Sequence, residues 1–298
     1  MSIVVRRYRF SQEPENSIRV GSVRTFLSEL EKINVDKDHV LFYRGHSRFN
    51  YSLSPSIYRN NGWIANEDII FKELILRCSD QFEKSDSTFQ TLVRMQHYSL
   101  PTRLLDITTN PLIALYFASA PAAGLRESGE VVIFKTPKAE IKYFDSDTVS
   151  VISNISRRPS SFKVPRAPFP RGGFNGTREI KLLLHEIKKE KPYFDSNIDP
   201  QHLESVLFVK PKLDNARIIR QDGAFILFGI NDEKKNPAIV PARYLVTPDG
   251  KRLLIAGEEK KTIRDQLEIL GITQGTIYPE IERVADYIKS VYQERGEA

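Results

Sequence analysis

The sequence predicts an α+β fold, in which a central, mainly antiparallel sheet is flanked by helices within one mixed domain. Two observations predict it. Strand-like runs cluster along the chain instead of alternating regularly with helices, as they would in a doubly wound parallel sheet. The 298 residues also show no internal repeat and no glycine- or serine-rich linker that would divide them. We therefore expect one domain over residues 1–298, with its core between about residues 20 and 293.

The first third of the chain predicts one strand among several helices. Apolar residues recur at helical spacing after Ser22, a residue type that caps helices. The run HVLFYRG then predicts a short buried strand that ends at Gly45. Helical spacing returns over residues 66–84 and 87–98. In the second of these helices Gln96 continues the apolar stripe, so its amide should point inward and need hydrogen-bond partners.

The segment MQHYSLPTRLLDITTNPLIALYFASA, residues 95–120, sets many polar groups beside an apolar helix. Asn110 followed by Pro111 predicts the helix start, because asparagine caps helices and proline suits the first helical position. Two interpretations of the polar groups stay open. They line a ligand pocket, or they form a buried hydrogen-bond network in which Asp106 pairs with an arginine.

The remaining elements predict more strands and then a helical end. GEVVIFK predicts a strand, and TREIKLLLHEIKKE predicts an amphipathic helix. Three consecutive strands are expected in SVLFVKPK, NARIIRQ and GAFILFG. Residues 262–270 and 279–293 predict helices, the second of which begins at Pro279.

Residues 148–178 contain no acidic residue. Within them, the Pro- and Gly-rich part 155–177 predicts a long irregular basic segment, and such loops are often functional. Its cations are candidates for phosphate contacts with a nucleic acid, with interspersed phenylalanines stacking on bases. The candidates are Arg157, Arg158, Lys163, Arg166 and Arg171, with Phe162, Phe169 and Phe174 between them. The alternative is a solvated crossover that binds nothing.

Composition and missing motifs exclude several classes of protein. The single cysteine, Cys78, excludes a disulfide framework and a cysteine-rich zinc site. The His185–Glu186 pair lacks the second histidine of a zinc-binding helix, because Lys189 stands there, and we expect no metal. The sequence has no P-loop, no G-x-G-x-x-G and no G-x-S-x-G motif. Without a signal peptide or a run of about 20 apolar residues, we expect a cytoplasmic protein with no membrane contact.

Arg44 is the leading candidate for a binding residue. Its strand delivers the side chain to a sharp turn at Gly45, and the planar guanidinium suits a phosphate or a carboxylate. The alternative is a buried ion pair, for example with Asp106. Thr108 and Thr109 stand directly before a helix start, where free N–H groups attract anions, so together with Arg44 they could hold a diphosphate.

Four stretches of this chain together resemble the FRG-domain family. They read FYRG, QHYSLPTRLLDITTNPLIALYFA, RIIRQDGAF and LEILGITQGTIYPEIERVADYIK. The chain departs from the family's central motif at Ser99, where the family has glycine, and at Ile107, where it has tryptophan. The resemblance implies a bacterial or phage-borne protein, often encoded beside defence genes and without an assigned activity.

The same stretches also show a weaker likeness to mono-ADP-ribosyltransferases of the Arg–Ser–Glu type. It implies an ADP-ribosyltransferase-like fold in which Arg44 grips the diphosphate and ribose of NAD. Thr108 and Thr109 then belong to the second motif of that class, and Gln221 opens the third.

Gly223 stands where that class has its catalytic glutamate. The glutamate holds a ribose hydroxyl and stabilises the positive charge that develops as nicotinamide leaves. Asp222, Asp106 or Glu268 would have to replace it.

The leading hypothesis is therefore a nucleotide-binding effector, or toxin, of bacterial antiphage defence that is ADP-ribosyltransferase-like or consumes NAD. His97 is included, with Gln96, as a residue that would orient the bound base or Arg44, and Asp106 is the best-placed base. The expected catalytic residues are Arg44, His97, Asp106 and Gln221. The expected ligand-binding residues are Arg44, Gly45, Gln96, Thr102, Arg103, Thr108, Thr109 and Asn110.

Two alternatives remain from the sequence. One is a nucleic-acid-binding module that acts through residues 148–178, and the other is a ligand sensor without catalysis. A nucleic acid or a protein could also be the acceptor of the modification. The net charge of +6 is compatible with an anionic partner.

Overall fold

The computed structural model describes residues 13–83, 85–121, 127–280, 284–285 and 288–289. The strands are β1 (Ser17–Val20), β2 (His39–His46), β3 (Leu104–Thr108), β4 (Gly129–Pro137), β5 (Lys142–Tyr143), β6 (Val206–Lys210), β7 (Gly223–Phe228), β8 (Ile230–Asn231), β9 (Glu233–Pro237), β10 (Leu245–Val246) and β11 (Arg252–Ile255). The helices are α1 (Val23–Leu30), α2 (Asn61–Ala65), α3 (Glu67–Arg77), α4 (Thr88–His97), α5 (Pro111–Ala118), α6 (Asp147–Ser153), α7 (Arg178–Glu190), α8 (Pro200–Leu203), α9 (Ala216–Arg220), α10 (Lys260–Ile269) and α11 (Gln274–Ile277).

Nine of these strands form one mixed sheet, which confirms the predicted α+β class. The strand order is β1-β11-β4-β2-β3-β7-β6-β5, and β10 pairs with β4 outside this path. Within the described sheet, β1 pairs with β11 in parallel and β5 with β6 in parallel, and the other pairs are antiparallel. Strands β8 and β9 form a separate two-stranded sheet.

The core consists of three apolar clusters that pack on this sheet. Apolar residues of α1, α5 and α10 pack against β2, β4 and β11. Helices α4, α6 and α7 cover β3, β6 and β7. A third cluster joins Phe42, Phe134, Phe208 and Tyr244. In the part of the chain that the structure describes, no helix is both long and apolar enough to span a bilayer.

Several predicted elements are confirmed at their capping residues. Ser22 accepts a hydrogen bond from the backbone N–H of Thr25, which begins α1. The Asn110 side chain accepts from the backbone N–H of Leu112, and Pro111 is the first residue of α5. The predicted helix over 66–84 ends earlier, at Arg77, and a short 3₁₀ turn over Ser79–Gln81 follows it.

One predicted strand is wrong, and β3 is one of seven described strands that the sequence did not predict. NARIIRQ forms the helix α9, because the Asn215 side chain caps it by accepting from the Arg217 backbone N–H. LLDIT forms the strand β3 between β2 and β7, in a stretch where the sequence indicated polar groups and a helix. The predicted helix over residues 279–293 lies mostly outside the described residues.

Gly45 is the point where α5 lies closest to the sheet. A Cβ atom at this position would lie 2.0 Å from the Ala114 carbonyl oxygen and 2.6 Å from the Ala118 nitrogen. Real Cβ atoms do not approach backbone this closely, so any side chain would force α5 and β2 apart. Gly129 on the neighbouring strand β4 is similar, since its Cβ would lie 2.1 Å from the Ala118 carbonyl oxygen. The glycine after Arg44 is thus required by helix packing.

We expect Gly45→Ala to lower the free energy of unfolding by about 3 kcal/mol or more, because inserting a methyl into close packing shifts backbone. Urea unfolding checks this. Gly223→Ala is the matched control, since its Cβ would meet no atom nearer than 3.4 Å. The control should change stability by less than about 1 kcal/mol. Equal effects of the two substitutions would contradict the packing constraint.

Candidate functional site

Arg44 fills the place where β2 and β3 separate. The two strands pair at a single position, Tyr43 with Thr108, while β2 continues alongside β4. Beyond that position the Arg44 Nη1 donates to the backbone carbonyl of Asp106, so the side chain replaces a missing strand-to-strand hydrogen bond. Its Nη1 also lies 3.9 Å from the Asp106 carboxylate. The predicted Arg44–Asp106 contact is therefore present.

A cavity of about 130 Å³ lies beside Arg44, where the two strands separate. Five residues predicted as site residues line it, from β2, from β3 and from the end of α9. They are Arg44, Gly45, Asp106, Thr108 and Gln221. Tyr43, Ile107, Ile113, Phe117 and Arg217 complete the wall. The cavity thus has an apolar floor with a few polar groups, which is typical of small-molecule sites.

Asp106 is an accessible carboxylate in this cavity, and its side chain is 55% exposed. Gln96 holds it in place, because the Gln96 Nε2 donates to Asp106 Oδ2 at 2.9 Å. The other end of the Gln96 amide accepts a hydrogen bond from the Thr102 hydroxyl. Gln96 therefore has the inward partners that the sequence required, and Thr102 supports it from a buried position.

The electrostatics around Arg44 favour an anion. The Arg44 side chain is only 14% exposed, and this burial lowers its pKa to about 10. The negative charge of Asp106 opposes the shift, and the positive charge of Arg59 adds to it. The guanidinium therefore stays charged at neutral pH. Arg59 is exposed and contributes a second positive charge. A partly desolvated cation interacts more strongly with an anion than one in bulk water does.

His46, two residues further along β2, holds the Arg44 side chain in place through a hydrogen bond. The Arg44 Nε donates to His46 Nε2 at 2.9 Å, which places the imidazole proton on Nδ1. Burial, and next the charge of Arg44, lower the pKa of His46 to about 3. The ring is therefore neutral at physiological pH and remains an acceptor for Arg44.

Gln96 and His97 lie at a smaller adjoining cavity of about 30 Å³. It shares Asp106, Ile107, Arg217 and Gln221 with the Arg44 cavity, so the two form neighbouring parts of one recess.

The end of α11 and the residues directly after it lie along one side of this recess. His97 Nε2 lies 2.7 Å from Glu280 Oε1, the Arg217 guanidinium lies 5.0 Å from the Tyr278 ring centre, and Gln221 Nε2 donates to the Ile277 carbonyl at 3.3 Å. Residues 277–280 therefore contact three residues that line the recess.

The structure places the two predicted threonines differently. Thr108 lines the Arg44 cavity, but its hydroxyl donates to the Gln221 carbonyl and accepts from the Asn110 N–H. Thr109 lies outside both cavity walls, and its hydroxyl faces the Asp222 carbonyl at 3.5 Å. Asn110 donates to Asp222 Oδ2. These groups fasten α5 to the Asp222 turn, because the strand-to-helix junction leaves backbone groups that need partners.

Arg103, another predicted ligand-binding residue, lies away from both cavity walls. It is fully buried, donates to Glu67 through Nε at 2.9 Å and to the Phe228 carbonyl through Nη1 at 2.9 Å. Lys234 Nζ approaches the same carboxylate at 3.1 Å. Burial acts to raise the pKa of Glu67, but Arg103 and Lys234 outweigh it and the pKa is lowered. Arg103 thus belongs to a buried charge cluster.

The basic segment offers fewer free groups than predicted. Arg157 pairs with Glu186, Lys163 with Glu233, and Arg166 with both Glu204 and Asp232. Arg158 is half-buried, and burial lowers its pKa, whereas Arg171 is exposed.

The phenylalanines of that segment are equally restricted. Phe162 and Phe174 are buried in the core, so neither can stack on a base, and Phe169 alone of the three is exposed. Acidic residues far away in sequence therefore neutralise much of a stretch that itself contains none.

Sequence reasoning missed His46, Arg59 and Glu280. His46 follows Arg44 by two residues, so strand alternation places both side chains on one face, and this signal was available. No local pattern indicated that Arg59 or Glu280 would approach the recess. In the part of the chain that the structure describes, no group of three or more His, Cys, Asp or Glu side chains could hold a metal ion.

The mixed sheet and the recess beside Arg44 define an α+β protein with a partly polar cavity at the point where two strands separate. Residues 39–124 match the family model described as the FRG domain, and they include Arg44, Gly45, Gln96 and Asp106. This match agrees with the resemblance to the FRG-domain family over that part of the chain. No curated protein and no solved structure matches the chain.

We expect Glu67→Gln to lower the free energy of unfolding by about 3–5 kcal/mol, because it leaves Arg103 and Lys234 buried without a compensating charge. Urea unfolding measures the change. Glu258→Gln is the control, since Glu258 forms an exposed ion pair with Arg19 that is worth at most about 1 kcal/mol. A loss no larger than that of the control would mean that Arg103 is not held by this cluster.

Proposed function

We propose that the Arg44 recess binds a nucleotide, with NAD as the substrate of an ADP-ribosyltransferase-like or NAD-consuming reaction. The supporting observation is the convergence of Arg44, Asp106 and Gln221, from three separate segments, on one cavity. An arginine, a carboxylate and an amide are the donor and acceptor set needed for a phosphate and a ribose. Such a reaction would suit an effector or toxin of bacterial defence.

The size of the cavity limits what it would hold. At about 130 Å³ it is smaller than the roughly 300–1,000 Å³ of typical ligand sites. It would take a phosphate or the nicotinamide riboside end, while the remainder of a dinucleotide lies along the adjoining cavity and over the surface. Tyr43, Phe117 and Ile113 would supply the apolar contacts to a ring.

Asp106 is the carboxylate that would replace the glutamate missing at Gly223. It lies beside Arg44 and is fixed by Gln96, whereas Asp222 is engaged with Asn110 outside the cavity walls. In the proposed reaction the bond between ribose C1′ and nicotinamide breaks, and nicotinamide leaves with the bonding electrons. The Asp106 carboxylate would stabilise the positive charge on the ribose. Water or an acceptor then attacks C1′ and loses a proton.

We expect Arg44→Ala to weaken NAD binding at least tenfold, since hydrogen bonds to a charged group contribute about 1.5–3 kcal/mol. Isothermal titration calorimetry measures the affinity, and the unfolding midpoint checks the fold. Arg44→Lys keeps the charge without the planar fork and should restore only part of the affinity. Arg220→Ala, an exposed arginine outside both cavity walls, is the matched control and should bind as wild type does. Unchanged binding by Arg44→Ala would reject the site.

Asp106→Asn separates binding from chemistry. The amide keeps the shape of the side chain but removes the charge, so nicotinamide release should fall by about 10²-fold or more while NAD affinity stays within about threefold. Single-turnover assays of nicotinamide release provide the rate. A variant with the wild-type rate would remove Asp106 from the mechanism. NAD binding by the wild type without any nicotinamide release would instead support a ligand sensor.

A further inference from the structure

Glu280 lies in a cationic notch at the edge of the recess. Its Oε1 is 2.7 Å from His97 Nε2 and 3.8 Å from Arg217 Nη1. Its other carboxylate oxygen, Oε2, is buried and has no hydrogen-bond partner among the described residues. A buried carboxylate oxygen without a partner is unfavourable, because it has lost water and gained nothing in return. The carboxylate therefore fits this notch only in part.

Arg217 is held in place by contacts other than the one to Glu280. It donates to the His97 backbone carbonyl at 3.2 Å, and it lies over the Tyr278 ring. Its backbone N–H is bound by the Asn215 cap at the start of α9. The guanidinium is thus positioned beside the recess without needing the carboxylate, which makes it available to another anion.

The notch opens on the same walls as the Arg44 cavity. Arg217 and Gln221 line both cavities, and His97 lines the smaller one. Asp106 also lines both, so its charge opposes an incoming anion, but Arg44 and Gln96 both contact this carboxylate. An anion at Arg217 would therefore be a neighbour of one at Arg44.

We propose that His97 and Arg217 form a second anion subsite, which takes a phosphate group and which Glu280 occupies in this structure. A phosphate offers more oxygen acceptors than a carboxylate, so it can use the Arg217 fork and the His97 N–H together. Binding requires that the phosphate displace Glu280, so the chain's own carboxylate competes with the ligand. The assignment of this subsite to a nucleotide rests on the proposed function, whereas its affinity for phosphate does not.

Inorganic pyrophosphate is the probe that tests the subsite. We expect Glu280→Gln to bind pyrophosphate at least tenfold more tightly than the wild type in calorimetric titrations, because the competing charge is gone while an acceptor for His97 remains. Glu258→Gln makes the same change in net charge at an exposed ion pair with Arg19 and should bind as wild type does. Glu280→Ala replaces the glutamine variant if that variant is unfolded.

A double variant tests whether the gain in pyrophosphate affinity depends on Arg217. Adding Arg217→Gln to Glu280→Gln should return the affinity to the wild-type level or below it. The subsite is rejected if Glu280→Gln binds pyrophosphate no better than Glu258→Gln, or if the gain persists without Arg217. If neither the wild type nor the variants bind NAD, while pyrophosphate binding follows the expected order, the proposed nucleotide function is rejected and the subsite is retained.

Discussion

The contact of α5 with β2 at Gly45 is the constraint on which the site depends. The helix lies so close to the strand that the Ala114 carbonyl and the Ala118 nitrogen occupy the space of a side chain. Because α5 follows β3 directly, seating it on β2 also fixes where β3 ends. The two strands then share one paired position and separate at Arg44. The aromatic-Arg-Gly motif therefore has a packing role: its glycine allows α5 to lie close to β2, and its arginine occupies the position where β2 and β3 separate.

Arg44 and Arg103 show how burial decides the role of an arginine. Arg103 is fully buried, and its guanidinium pairs with Glu67 in the core. Arg44 is bound to a neutral histidine and to a backbone carbonyl, and the Asp106 carboxylate, which pairs with it among the described residues, lies 3.9 Å away and faces solvent. Its charge is consequently only partly compensated. A partly compensated cation at an opening can attract a ligand, whereas a buried cation that is already paired is held by its partner, whose removal would be costly.

The sequence predicted the elements with strong local signals and one contact between distant residues. Asn110 and Pro111 start α5, and Arg44 reaches Asp106, as expected. Short apolar runs were ambiguous, since NARIIRQ forms a helix once Asn215 caps it.

Partner choice across long separations could not be read from local patterns. Nothing in the sequence around Arg103 indicates that Glu67 and Lys234, both far away along the chain, form a buried charge cluster with it. For the same reason, the absence of acidic residues from the basic segment did not mean that its cations are unpaired. Their partners Glu186, Glu204 and Glu233 lie further along the chain. The position of Glu280 beside His97, 183 residues away, likewise follows only from the tertiary fold.

A crystal structure with ADP-ribose bound tests the central claim most directly. We expect a phosphate oxygen within hydrogen-bond distance of the Arg44 guanidinium, and the ribose in the opening between β2 and β3 beside Asp106. Density for ADP-ribose on another surface, with Arg44 still bonded only to His46 and Asp106, would contradict the assignment of this opening as a nucleotide site.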